Sequence, residues 1–127
     1  MGKRIMVVDD SRMVFLQIEA LLADSDYEIV AYCQDGNEAL EQYGQVNPDL
    51  VTMDIIMPGM DGLETVQAIL EEYPDAKIVM LSSLAYEDTF TEAREVGAKA
   101  FLDKCFDRQQ LLDVFEQVLA DAETEES

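Results

Sequence analysis

The sequence predicts an α/β fold with one parallel sheet, and three observations carry that prediction. Five short apolar runs, each too brief for an ordinary helix, recur along the 127 residues. Each is followed by a stretch whose apolar side chains fall at helical spacing. Turn and cap residues join the two kinds of segment, and strand–helix alternation of this kind is the pattern of a parallel sheet covered by its own crossover helices.

The first run, Ile5-Met6-Val7-Val8, is read as a buried strand that ends in Asp9-Asp10. Ser11 is placed to cap a helix with Val14, Phe15, Ile18, Leu21 and Leu22 inward. The second strand spans Tyr27 to Cys33, and Asp35-Gly36-Asn37 turns into a helix carrying Ala39, Leu40 and Tyr43. Leu50 to Met53 is the third strand and delivers Asp54 at its carboxyl end. Pro58-Gly59 and Asp61-Gly62 then punctuate a loop before a helix with Leu63, Val66, Ile69 and Leu70 on one face. Ala76 to Leu81 makes the fourth strand, ending in Ser82-Ser83, and Glu87 to Val96 is a helix closed by Gly97. That helix has the weakest apolar face of the five. Ala100-Phe101-Leu102 runs into Asp103-Lys104, and Asp107 caps a last helix with Leu111, Leu112, Phe115, Val118 and Leu119 inward. Right-handed crossovers leave few topologies for five such units, and a chain this short suits the flavodoxin-like order 2-1-3-4-5 with helices on both faces.

Length fits one domain, taken as residues 1–120, followed by an acidic tail at 121–127 that composition marks as disordered. The formal charge is −20, from 28 acidic and 8 basic residues, with no histidine. Such a field repels phosphate backbones, so direct nucleic-acid binding is not expected, whereas divalent cations and basic protein surfaces are attracted. No apolar run approaches the ~20 residues of a membrane span, and no signal-peptide core is present, so a soluble, cytoplasmic protein is expected. Cys33 and Cys105 have no metal or disulfide spacing and read as free thiols. Met6, Met53 and Met80 fall within strands and read as core.

All strand tips of a parallel sheet lie along one edge, so Asp9, Asp10, Asp54, Ser82 and Lys104 are expected to gather there. Strands 1 and 3 are neighbours in the expected order, which sets the acidic pair beside Asp54. Carboxylates ~5.5 Å apart repel by roughly 3 kcal/mol per pair at an effective dielectric of ~20, so a cation is called for. Hard oxygen ligands of this kind suit Mg²⁺, which takes one or two carboxylates and keeps several waters. An ionised Asp54 beside the metal needs no general base to attack phosphorus, and the product would be an aspartyl phosphate. Lys104 would meet the charge of the phosphoryl oxygens, and Ser82 could donate to a new one. Plain structural roles compete at each position: solvated or capping acids at 9 and 10, a loop acid at 54, a strand-end hydroxyl at 82, a core ring at 101 and a surface amine at 104.

With these residues in place, the chain resembles a receiver domain of the two-component response-regulator family, and more narrowly its single-domain chemotaxis (CheY-like) type. The motifs that carry the resemblance are Val7-Val8-Asp9-Asp10-Ser11, Met53-Asp54-Ile55-Ile56-Met57-Pro58-Gly59-Met60-Asp61-Gly62, Leu81-Ser82-Ser83 and Phe101-Leu102-Asp103-Lys104. It implies that Asp54 is the phosphoacceptor and that Asp9, Asp10, Asp54 and the backbone carbonyl of Ile56 hold Mg²⁺. It also implies that Lys104 is the active-site lysine, and that Ser82 and Phe101 are the switch hydroxyl and aromatic. The donor would be a phosphohistidine of a sensor histidine kinase or phosphotransfer protein, which accounts for a chain without histidine. A downstream protein target or output domain would read a changed surface on the fourth helix, fifth strand and fifth helix. The chain would then be a regulator that catalyses only its own phosphorylation and dephosphorylation, and a homodimer could form through the last helices.

Departures from the family pattern are local. Cys105 stands where proline usually follows the lysine, so a trans Lys104–Cys105 peptide is expected, since a cis bond without proline costs ~2.5–4 kcal/mol. Ser83 replaces a usual alanine, and Phe101 lacks the phenolic hydroxyl of many relatives. Ile56 and Leu84 put apolar groups beside the phosphoryl site, which implies slow self-dephosphorylation. Two other readings stand: a pseudo-receiver that only binds partners, and a Mg²⁺-dependent phosphatase with Asp54 as nucleophile. The latter usually has a second carboxylate two residues on, where this chain has Ile56.

Overall fold

The computed structural model describes residues 3–57, 59–82 and 87–126, with the side chains of 87–90 and 121–126 left aside. The expected turn at Pro58, strand end at Ser83 and apolar neighbour at Leu84 lie outside the described residues. Five strands alternate with five helices: β1 Lys3–Val8, α1 Arg12–Leu22, β2 Tyr27–Cys33, α2 Gly36–Val46, β3 Leu50–Asp54, α3 Gly62–Glu72, β4 Ile78–Ser82, α4 Glu87–Val96, β5 Ala100–Asp103 and α5 Arg108–Glu126. All pairings are parallel, in the order β2-β1-β3-β4-β5 that the sequence led us to expect.

The central strands read as unbroken apolar runs because both their faces are covered. Met6, Val8, Val51, Met53, Ile78 and Met80 point to a layer closed by Ala39 and Tyr43 of α2, Val66 and Ile69 of α3 and Ala93 of α4. Ile5, Val7, Leu50, Val79 and Leu81 point the other way, against Ile18 and Leu22 of α1 and Leu111, Phe115 and Val118 of α5. The methionines of the strands are fully buried, as expected; Cys33 is buried, Cys105 is exposed, and both are free.

Helix ends follow local chemistry. Asp35, Asp61 and Asp107 each accept a backbone N–H three residues on, at 2.8, 2.9 and 2.8 Å. Gly97, with φ +108°, closes α4 in a conformation that other residues enter at a cost. Ser11 departs from its expected role: it occupies the N-cap position of α1, but its side chain makes no cap bond. Its backbone N–H instead donates to Asp9 Oδ1 at 2.8 Å, so the aspartate shapes this turn. Helix α5 continues to Glu126, because a helix whose first turns are fixed by packing extends at little cost through Ala- and Glu-rich sequence.

Phe115 is fully buried and meets Tyr27 edge-on at 5.2 Å, tying α5 to the start of β2. Phe115→Ala is expected to cost about 3–5 kcal/mol, seen as a lower midpoint in urea with the slope unchanged.

Candidate functional site

The site grows from the sheet's central pair. β1 and β3 run side by side in register, Val8 opposite Met53, so the residues that follow them, Asp9 and Asp54, emerge next to each other. Asp9 is 1 % exposed and Asp54 4 %, while Asp10 is exposed. One carboxylate oxygen from each of these three residues lies within 4.8 Å of the others. The spread of the sequence is thus closed at one edge, and the acidic pair stands beside Asp54 as expected.

Lys104 reaches this cluster from the turn after β5. Its Nζ lies 3.0 Å from Asp9 Oδ2 and 3.0 Å from Asp54 Oδ1. The backbone directs it there: the Lys104 N–H donates to the Ser82 carbonyl at 3.0 Å, which fixes the β5 end against the β4 tip. No peptide bond among the described residues is cis, in keeping with Cys105 in place of proline. The Cys105 N–H donates to Asp103 Oδ1 at 2.9 Å and shapes the turn. Ser82 is buried at the end of β4, and half-buried Phe101 packs against the layer under α2, α3 and α4. Ile56 lies in the loop after β3 with its side chain 58 % exposed.

Electrostatics follow from three acids against one ammonium. Burial pushes the Asp54 carboxyl up to about 6; the hydrogen bond from Lys104 pulls it down, the charge of Asp9 raises it, that of Lys104 lowers it and that of Asp10 raises it. Burial alone would lower the Lys104 ammonium, but the hydrogen bonds and charges of Asp54 and Asp9 outweigh it and hold the pKa above the ordinary value. A hard divalent cation fits this donor set. The oxygens are close enough to share one ion, and the three acids exceed the single ammonium by two charges.

Sequence reasoning did not find what supports Asp54 from behind. The Gly62 N–H donates to the Ile55 carbonyl at 2.7 Å, and a Cβ on Gly62 would run into the Asp54 carbonyl oxygen. The start of α3 therefore lies directly on the strand that carries the acid. The Asp-Gly pair at 61–62 was legible as a turn, but contact with a residue eight positions back is tertiary.

A family model described as the response regulator receiver domain matches residues 5–116. The chain belongs to that family. This receiver is 38 % identical over 114 residues to the chemotaxis protein CheY of Listeria monocytogenes, covering 90 % of this chain and 96 % of that one. It is 41 % identical over 118 residues to CheY of Treponema pallidum, covering 91 % and 82 %. Among solved structures, a CheX–CheY–BeF3–Mg²⁺ complex from Borrelia burgdorferi contains a chain that superposes with a TM-score of 0.87 at 32 % identity, covering 91 % of the receiver and 88 % of that chain. The receiver is thus a CheY-like response-regulator domain of two-component signalling, a regulator rather than an enzyme acting on separate substrates. No helix among the described residues is long and apolar enough to cross a membrane.

The raised Asp54 pKa has a sign that can be checked. An acid at about 6 in the fold and ~3.9 in the unfolded chain favours the folded state only while protonated, so its cost appears as pH rises from ~4 through 6. In metal-free buffer, Asp54→Asn is expected to stabilise the receiver by about 1–3 kcal/mol at pH 7.5. The gain should vanish near pH 4, as measured by urea unfolding at both values.

Proposed function

We propose that this receiver is a phosphorylation-activated switch in which Asp54 accepts a phosphoryl group from a phosphohistidine of a sensor histidine kinase or phosphotransfer protein. The supporting observation is Asp54 itself: a buried carboxylate at a strand tip, with Asp9 and Asp10 within 4.8 Å and the Lys104 ammonium at 3.0 Å.

Asp54, with a pKa of about 6, is roughly nine-tenths ionised at pH 7 and serves as nucleophile without a base. One of its carboxylate oxygens forms the new bond to phosphorus as the P–N bond of the donor breaks. The bonding pair returns to the imidazole nitrogen, which takes up a proton. Lys104 is the cation placed to meet a phosphoryl oxygen. Asp9, Asp10, Asp54 and the Ile56 carbonyl would hold Mg²⁺, which when bound offsets charge on the phosphoryl oxygens. Ser82 and Phe101 then shift, and the face formed by α4, β5 and α5 changes its affinity for a downstream protein target or output domain. Moving a two-state equilibrium from 1:99 to 99:1 takes about 5.5 kcal/mol, within reach of a few charge-assisted contacts to a dianion.

With acetyl phosphate and Mg²⁺, labelling is expected on Asp54 and to be lost in Asp54→Asn or on adding chelator; intact-mass spectrometry reads both. Persistent labelling of the Asn variant would overturn the assignment. The apolar, exposed Ile56 side chain in the loop after β3 is expected to leave an attacking water unoriented. A phosphoryl half-life of minutes or longer after donor removal would agree, and one of seconds would refute it.

A further inference from the structure

We infer that the free edge of β2 is a docking surface for an extended segment of another protein that carries lysine or arginine and adds to the sheet as one more strand. The observation is the contrast between the sheet's two ends. Among the described residues, β2 and β5 each have a neighbour on one side only. β5 is four residues long, a short edge of the kind that limits unwanted pairing. β2 runs for seven residues, Tyr27–Cys33, with neither lysine nor proline to blunt it. Its side chains from Ile29 to Tyr32 are only half-buried, whereas those of β3 and β4 are sealed.

The backbone groups on offer can be assigned. In an extended strand the N–H and C=O of one residue point to the same side, and those of the next residue point away. The Asp26 carbonyl accepts the Lys3 N–H at 2.8 Å and the Cys33 carbonyl accepts the Asp9 N–H at 3.0 Å, so both face β1. The ladder slips by one residue between Ile29 and Ala31. Counting from Asp26 on one side of the slip and from Cys33 on the other, Ile29 and Tyr32 turn their amides and carbonyls outward. Tyr27 also faces out, but its N–H donates to the Ser25 hydroxyl at 3.2 Å. Ile29 and Tyr32 are therefore the residues that an added strand meets.

Charge selects the occupant. An open groove of about 330 Å³ at the amino end of this edge is walled by Leu22, Tyr27 and Ile29 and rimmed by the exposed acids Glu19, Asp24 and Glu28. The Tyr27 phenol, whose pKa is raised first by burial and then by the charges of Glu116 and Asp26, lies in the same negative field. A lysine or arginine can lay its methylene stem on the apolar wall and its charge among the carboxylates. A second copy of this chain would instead set these acids, and a formal charge of −20, against their own kind. An extended basic segment satisfies both features, backbone along the edge and cation in the groove.

The probe is acetyl-Lys-Val-Lys-Val-Lys-Val-amide, titrated into the whole receiver and followed by amide NMR. Binding is expected to shift the amides of β2 and of the groove, and to slow hydrogen exchange at Ile29 and Tyr32 about tenfold or more. N-methylation at alternate residues blocks one edge of the peptide. Of the two peptides so made, one should bind about tenfold more weakly than the parent and the other within about threefold of it. Glu19→Gln/Asp24→Asn/Glu28→Gln should weaken binding about tenfold; asparagine suits the left-handed backbone of Asp24, φ +62°. Glu71→Gln/Glu72→Gln/Asp75→Asn, which removes as many exposed charges at the end of α3 across the sheet, should cost less than about threefold. Equal binding by both methylated peptides overturns the inference, as does no binding at millimolar peptide. So do shifts confined to Asp9, Asp10 and Asp54 or to α4, β5 and α5. Slow exchange at Ile29 and Tyr32 in a receiver that sediments as a dimer without peptide would make a second copy the occupant and overturn it too. Circular dichroism checks that the variants fold, and the methylated peptides on wild type decide the matter if they do not.

Discussion

Asp9 and Asp54 are held out of water at adjoining strand tips, and most of the molecule can be understood as the means of keeping two like charges in that position. Repulsion between them is opposed by the β1–β3 ladder, whose parallel register fixes their spacing, and by the one ammonium that Lys104 supplies from the opposite side of the sheet's centre. Neither support is local. Asp9 and Asp54 are 45 positions apart, and Lys104 lies a further 50 along. Folding is what assembles the charge, and the strain shows in the Asp54 carboxyl, raised first by burial and then by the charges of Asp9 and Asp10 against the pull of Lys104.

That strain is tolerable because the rest of the fold is conventional. Each strand divides its side chains between two apolar layers, one under α2, α3 and α4 and the other under α1 and α5. The central strands are dry on both faces, so the polar groups of the site are confined to the tips, where loops can reach them. This separation lets the chain carry a formal charge of −20 without placing that charge in its core.

The sheet order and all five helices were legible in the sequence because strand runs, helical spacing and caps agreed with one another. Asp35, Asp61 and Asp107 kept their capping roles because an aspartate at a helix start has a partner supplied by the helix itself. Ser11 did not: its hydroxyl makes no cap bond, and its own N–H is taken by the carboxylate two residues back. For the site, strand-tip logic and family resemblance located the acids and the lysine. The contact of Gly62 with the back of Asp54, and the double engagement of Lys104, needed three dimensions.

The two apolar layers are not equally anchored. Helix α5 is seated by Leu111 and the ring of Phe115, both sealed from solvent, with Val118 nearly so. Among the described side chains of α4, the methyl of Ala93 is fully inserted, and Val96 packs at the margin. Lifting α5 would leave a phenyl-sized hole, which ties the helix firmly to the sheet. Among the described side chains, α5 therefore carries the bulk of the apolar seal on its layer, and α4 contributes only small groups to the other.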